Sequence, residues 1–516
     1  MIRNHNLWPW LPLAIATGIF LLLAIVTFGT SSIGMTYDEG YWNYIGNSWL
    51  RHGLAPYSEL VDNKPPGIFL VYGVSNLLFG MNFWFPRLMG ILALTASAYF
   101  LFRITESWYD ARAGVLAMGM FGLASAWKVT GGVYTAQTES FVLLFAMLAF
   151  YLLDCGAKVD RRHILWLLAS GLCVGIATVF KQVAVLEFAA LLYLGRRLLA
   201  YSQEGISGTL RPLAWVIAGF LAVHISTLLL LIASGTAPED YFYCVFNLLF
   251  APGSPTAPDL ATRVDGFLRI FKRSEIVVFY PLLVLFFLQR DSFYLRSIPV
   301  RALGFWLGME FLIVNASGNY AAYQVKSLIP SMSVLAALGI LAFLDRNSTV
   351  NESRSRRFIQ LLCAFLLIWM PIYLEPVAAF RNYLRKQSPA ITSPEDCRPP
   401  YPVPGRAERK ALGLWLKRHS NPEDYVFVAG YGATIQAYSE RLSPSRYFAG
   451  SLPGAAPALR ADLALRRPRW IVLPKFPEYE DWVHPALRAV IERYVTENHL
   501  FRECMWGYQL YEIKME

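Results

Sequence analysis

Apolar runs of about 17–23 residues recur along the first three-quarters of this chain, and each is long enough to cross a hydrocarbon core. The first covers residues 7–28, and later ones centre on 83–103, 112–128, 138–154, 163–180, 183–199, 212–234, 275–289, 301–316, 327–345 and 357–377. Lipid offers no water to backbone amides, so such runs fold as helices. The pattern predicts an α-helical polytopic membrane protein with about eleven transmembrane helices. A cleaved signal peptide is the rival reading of the first run, but that run is long and lacks a small-residue cleavage site.

Composition agrees, with 55% hydrophobic and only 16% charged residues among 516. A net charge of +10 would point to nucleic acid in a soluble protein. Here the basic residues sit in short clusters between apolar runs, so no nucleic-acid partner is expected. Arg103 and Arg112, then Lys158, Arg161 and Arg162, then Arg196, Arg197 and Arg211 occupy alternate loops. Arg290, Arg296 and Arg301, then Arg346, Arg354, Arg356 and Arg357, continue the series. Counting every span once, all five clusters fall on the side of Arg3, as the positive-inside rule requires of the cytoplasmic face. An odd number of spans then puts the 31–67 loop, the turn near 128–138, the 235–274 loop and the C-terminal tail outside.

The expected division is a membrane domain over 1–377 and a small extracytoplasmic α/β domain over 378–516. In the latter, helical spacing at 406–419, 459–466 and 482–494 alternates with strand-like runs at 425–429, 470–473 and 509–513. It carries no glycine-rich phosphate loop and no nucleophile elbow, so it is expected to shape or recognise an acceptor. In the 235–274 loop, residues 241–250 read as an amphipathic surface helix. Cys155, Cys173 and Cys363 lie in or beside apolar runs as packing residues. Cys397 and Cys504 are the two that an oxidising compartment would allow to pair; spacing does not decide whether they do. No Cys/His cluster has metal-ligand spacing.

Chemistry concentrates in the first outer loop. Thr36–Tyr37–Asp38–Glu39 opens a segment with Tyr41, Tyr44, Ile45, Trp49 and His52 at helical spacing, which reads as a helix lying in the membrane interface. Thr36 and Glu39 match a capping box, so Glu39 has a structural reading beside a catalytic one. Asp38 in the first turn is kept anionic by the helix dipole and suits a general base, although a helix-start aspartate also serves simply to cap. Asp62–Asn63–Lys64–Pro65–Pro66–Gly67 closes the loop. Its prolines stiffen the turn around Lys64, whose ammonium either holds a lipid phosphate or snorkels to the interface. Arg87 adds a cation at the start of the next span. Glu139 opens the fourth span, either as a site residue or as a dipole-favoured anion. Tyr323 and Lys326 approach the tenth span from outside, where phosphate or sugar contact competes with interface anchoring.

At these residues the chain resembles bacterial members of glycosyltransferase family 39, with the GT-C membrane fold. The markers are Asp38–Glu39, Lys64–Pro65–Pro66–Gly67, Arg87–Leu88, Thr138–Glu139 and, in the tail, Ser445–Arg446–Tyr447. The resemblance implies sugar transfer, with inversion, from a polyprenyl-phosphate donor to a lipid, glycan or protein acceptor at the outer face of a bacterial plasma membrane. It makes Asp38 the base, Lys64 the phosphate holder and Glu139 a second acidic position; the reading of the residues themselves adds Asp62, Arg87, Tyr323 and Lys326 around the substrate. Relatives often place His-Tyr before the proline of the late span, where this chain has Tyr323 and Gln324. Some GT-C enzymes use a divalent metal; nothing in this sequence predicts one. A transporter or flippase of lipid-linked sugars is the main alternative, and a non-catalytic lipid-binding subunit a third. Transporters place charge near the midplane and repeat their halves, whereas here ionisable residues gather toward one face.

Overall fold

A computed structural model describes residues 9–29, 34–126, 136–158, 163–202, 206–250, 259–273, 279–288, 298–316, 320–348 and 405–514 without 431, 449–454 and 476–482, together with residues 276, 318 and 357. The chain divides into two compact units. One comprises Met1–Gly29, Arg87–Thr227 and Pro258–Leu384; the other comprises Thr30–Pro86, Leu228–Ala257 and Arg385–Glu516. The sequence boundary near 378 separates stretches of chain, while the second unit draws together three of them.

The first unit is a helical bundle. Its helices are α1 (Leu11–Gly29), α4 (Trp84–Trp108), α5 (Ala111–Ser125), α6 (Thr138–Lys158), α7 (His163–Phe180), α8 (Val185–Ser202), α9 (Ile206–Ala233), α11 (Leu260–Arg273), α12 (Tyr280–Leu288), α13 (Ile298–Ala316) and α14 (Ile329–Ser348). Ten of the eleven expected spans fall on these helices; the run at 357–377, apart from residue 357, and Lys128 lie outside the described residues. Five segments among the described residues, including Trp84–Trp108, Thr138–Lys158 and Tyr323–Asp345, are long and apolar enough to cross a membrane. Leu94, Leu101, Phe121, Phe150, Trp306 and Leu335 belong to the buried core of this bundle. Two of its buried acids link helices: Trp306 Nε1 donates to Glu187 at 2.8 Å, and Ser331 Oγ donates to Glu310. These bonds tie α8, α13 and α14 together, since a buried carboxylate without partners is costly.

The second unit contains α2 (Tyr37–His52), α3 (Gly67–Phe79), α10 (Pro238–Val245), α15 (Arg406–Arg418), α16 (Ala433–Ser439), α17 (Ala456–Arg466) and α18 (Pro485–Asn498). Its four-stranded sheet has the order β1 (Val426–Val428), β2 (Trp470–Pro474), β4 (Tyr508–Ile513), β3 (His499–Met505). β1 and β2 are parallel and the other pairs antiparallel. Apolar layers cover both faces, one built on Phe427, Leu459 and Ile491 and the other on Leu412, Trp470 and Leu510.

Helix α2 is not a surface helix. Trp42, Tyr44, Ile45 and Trp49 are buried, because α3 packs on one side and α16 on another. Glycine makes both approaches feasible. A Cβ on Gly46 would sit 2.4 Å from the Phe69 carbonyl oxygen, and one on Gly40 would sit 2.6 Å from Thr434 Cα. Helix α3 escapes a search for spanning runs because it has only 13 residues. The 241–250 stretch forms the end of α10 and a 3-10 turn, Asn247–Phe250; Tyr241, Cys244 and Val245 are buried while Phe242, Tyr243 and Phe246 are exposed, the two faces expected of an amphipathic surface helix. In the tail, all three expected helices and all three expected strands are present with shifted ends, joined by β3 and α16. Cys155, Cys173 and Cys244 are free. Cys504 is disulfide-bonded, and Cys397 lies outside the described residues.

Candidate active site

In the second unit the loop residues are held by a dense set of bonds. The capping box at the start of α2 is closed: Glu39 N–H donates to Thr36 Oγ1 at 3.2 Å, and Thr36 N–H donates to Glu39 Oε2 at 2.8 Å. Glu39 is fully buried in that role. Asp38, one residue earlier and half-buried, sits in the first turn where the helix dipole favours an anion. Beyond the helix, Gly53 turns the chain in the left-handed region. Tyr57, also at positive φ, is buried, and its hydroxyl donates to the Lys64 carbonyl at 2.8 Å.

Three further bonds fix the Asp62–Lys64 turn. Tyr41 Oη donates to the Val61 carbonyl at 2.9 Å, Val61 N–H donates to the Arg446 carbonyl at 3.3 Å, and Lys64 N–H donates to Asp62 Oδ1 at 3.1 Å. Lys64 Nζ, half-buried, donates to Asn63 Oδ1 at 2.7 Å. Helix α10 braces the loop from another side. Ser58 Oγ donates to Asp240 Oδ2 at 2.7 Å, Thr236 Oγ1 donates to the Pro56 carbonyl at 2.8 Å, and Arg446 pairs with Asp240 at 3.6 Å.

Asp62 is the electrostatically unusual group. Burial pushes its carboxyl from 3.8 up to about 6, against the pull of the Lys64 ammonium and of backbone N–H groups, with the nearby Asp38 charge adding to the rise. Its Oδ2 is buried without a hydrogen-bond partner among the described residues. The folded protein therefore keeps this proton to about pH 6, whereas the unfolded chain releases it near 3.8. That contribution to stability is complete below about pH 4 and is lost as pH rises to about 6, a change of about 3 kcal/mol. Asp62→Asn, a neutral mimic, should match the wild type in stability at pH 4 and exceed it at pH 7.5. Unfolding curves of both proteins in detergent at the two pH values test this; an identical difference at both would refute the assignment.

In the first unit a second cluster forms around Glu139. Antiparallel α6 and α7 bring the start of one beside the end of the other. Lys181, just past α7, pairs with Glu139 Oε1 at 2.5 Å, and Thr138 Oγ1 donates to Glu139 Oε2 at 3.0 Å. Glu139 is 1% exposed and Lys181 8%. Lys326, in the 3-10 turn Ala322–Leu328, is also buried and near enough for its charge to act on Glu139. A buried ammonium does not anchor at an interface, which removes that reading for Lys326. Tyr323 is half-buried in the same turn. Arg87 is 1% exposed at the start of this unit. Among the described residues no three His, Cys, Asp or Glu side chains group as metal ligands.

Residues 63–230 match the family model described as dolichyl-phosphate-mannose-protein mannosyltransferase. No curated protein matches by sequence. Among solved structures, ArnT from Cupriavidus metallidurans bound to undecaprenyl phosphate is similar over 98% of this chain and 97% of that one, with 15% identity and a TM-score of 0.55. The archaeal oligosaccharyltransferase AglB from Archaeoglobus fulgidus, in complex with an inhibitory peptide and a dolichol-phosphate, is similar over 98% of this chain and 74% of that one, with 12% identity and a TM-score of 0.53. The chain has the GT-C membrane fold of these structures. The matched stretch starts at Asn63 and includes Lys64, Arg87 and Glu139; Asp38, Glu39, Tyr323 and Lys326 lie outside it.

The structure brings Asp38, Asp62 and Lys64 together in one unit, and Glu139 and Lys326 together in the other. Sequence reasoning missed Lys181, which looks like an ordinary helix-end lysine. A charge expected to be buried at the start of α6 calls for an opposite charge at the end of α7, and that requirement was the available signal. It also missed Tyr41, Tyr57 and Asp240 as supports of the loop. The positive φ of Tyr57 has no mark in the sequence.

Proposed function

We propose that this protein is an integral-membrane glycosyltransferase that moves a sugar, with inversion, from a polyprenyl-phosphate-linked donor to an acceptor hydroxyl at the outer face of a bacterial plasma membrane. The observation that carries the reading is the braced Asp38–Asp62–Lys64 loop. It pairs a first-turn carboxylate with an ammonium whose backbone is held by Tyr57 and Asp62. Lys64 neutralises the phosphate as negative charge builds on the leaving group. Asp38 takes the acceptor's hydroxyl proton as that oxygen attacks the anomeric carbon. Asp62 accepts from the Lys64 N–H and holds the turn that presents the ammonium. Glu39 acts as a cap, and Glu139, neutralised by Lys181, serves to orient its neighbours. Arg87, Tyr323 and Lys326 are assigned to the substrate.

The bound undecaprenyl phosphate of ArnT and dolichol-phosphate of AglB support a lipid-phosphate donor. The alternation of basic clusters supports the orientation. Purified protein in vesicles, supplied with radiolabelled polyprenyl-phosphate sugars, should move label from lipid to acceptor. Label that crosses the bilayer while still on its lipid, with no transfer, would favour the flippase reading instead.

A further inference from the structure

The second unit contains a cleft that the loop chemistry does not use. It has a volume of about 490 Å³ and lies where the end of α15 and the turn after it meet β2, β3 and β4. Its wall is an aromatic stack. The His419 ring lies on Trp415 with centroids 3.9 Å apart and planes 14° from parallel, and Trp470 meets Trp415 edge-on at 5.2 Å. Trp470 Nε1 donates to the His419 carbonyl at 2.9 Å, so the stack is fixed from below while His419 stays exposed. Opposite, Glu512 is clamped between two guanidinium groups, at 3.5 Å from Arg469 and 2.8 Å from Arg502.

The remaining polar ends are open to solvent. Among the described residues Arg418 is bonded only through Nε, to the Leu414 carbonyl at 3.3 Å. The side chains of Asn421 and Glu503 have no partner among the described residues, though both line the cleft. The rim therefore offers a cationic donor, an amide that donates and accepts, and an anionic acceptor, within reach of a flat ring. A phosphate would call for donors alone. A neutral sugar fits all of these features: its hydroxyls donate and accept in adjacent positions, and its C–H face packs against an aromatic surface. The volume lies within the range of small-ligand sites.

We propose that this cleft binds a neutral oligosaccharide, which makes a glycan the acceptor class. The last step rests on the transferase reading above. The bound saccharide lays one ring on His419, while Arg418, Asn421 and Glu503 take its hydroxyls.

The test uses the full chain in detergent on a printed array of neutral and acidic oligosaccharides. Wild type should bind at least one neutral oligosaccharide. His419→Ala and the double variant Arg418→Gln with Glu503→Gln should each weaken that binding at least tenfold, while their melting temperatures stay at the wild-type value. No binding, binding to acidic saccharides alone, or variants that bind as wild type would overturn the site. Asp38→Asn should bind the same glycan while failing to transfer sugar. If the wild type moves no sugar from any polyprenyl-phosphate donor while the glycan still binds through His419, the transferase reading fails and the cleft stands.

Discussion

Replacing Asp38 with asparagine is expected to lower sugar transfer by about 100- to 10,000-fold, the range that a positioned general base contributes. The substitution keeps the side chain's shape at the start of α2, where the Thr36–Glu39 capping box holds the backbone independently. The effect should fall on kcat, with the unfolding temperature near that of the wild type. Turnover is measured with saturating polyprenyl-phosphate donor and followed by release of the free lipid phosphate. Asp38→Asn protein that is folded and as active as wild type would remove Asp38 from the chemistry.

Lys64→Met is the second large change. Losing the cation that meets the developing charge of the leaving phosphate is expected to cost about 100- to 1,000-fold in turnover, as for other groups that stabilise charge only in the transition state. A second readout needs no donor. In the wild type the Lys64 ammonium holds the Asp62 carboxyl down against its burial. Without it the carboxyl keeps its proton to higher pH, so the stability lost between about pH 4 and 6 should be lost at higher pH instead. A wild-type stability profile in Lys64→Met, together with undiminished turnover, would show that Lys64 is a surface lysine and nothing more.

Those two residues were legible in the sequence because their neighbours constrain them. A threonine three residues before Glu39 marks a helix start, and two prolines after Lys64 mark a rigid turn. The spanning helices were legible for a similar reason, since a run of about 20 apolar residues has few alternatives. Helix α3 was not, because 13 apolar residues are too few to span and its partner is another helix. The burial of α2 was not legible either. Its alternation of aromatic and polar residues suits a membrane interface as well as it suits a slot between α3 and α16. What selects the slot is the pair Gly40 and Gly46, and their fit depends on Thr434 and Phe69, distant in the chain. Lys181 was hidden because its value lies in a partner that only the α6–α7 pairing supplies.

Tyr44 Oη accepts from Ser443 N–H, Met35 N–H donates to Tyr438 Oη, and Thr434 Oγ1 donates to the Thr36 carbonyl, across separations of 399, 403 and 398 residues. At ribosomal speed this is an interval of about 20–80 s during which α2 has been synthesised and its lid has not. A Trp- and Tyr-rich surface stands open for that time, which makes it a natural target for chaperones and proteases that survey newborn membrane proteins. A stop codon after residue 430 would therefore deprive the beginning of the protein of its cover, although every residue of the proposed catalytic pair would already have been translated.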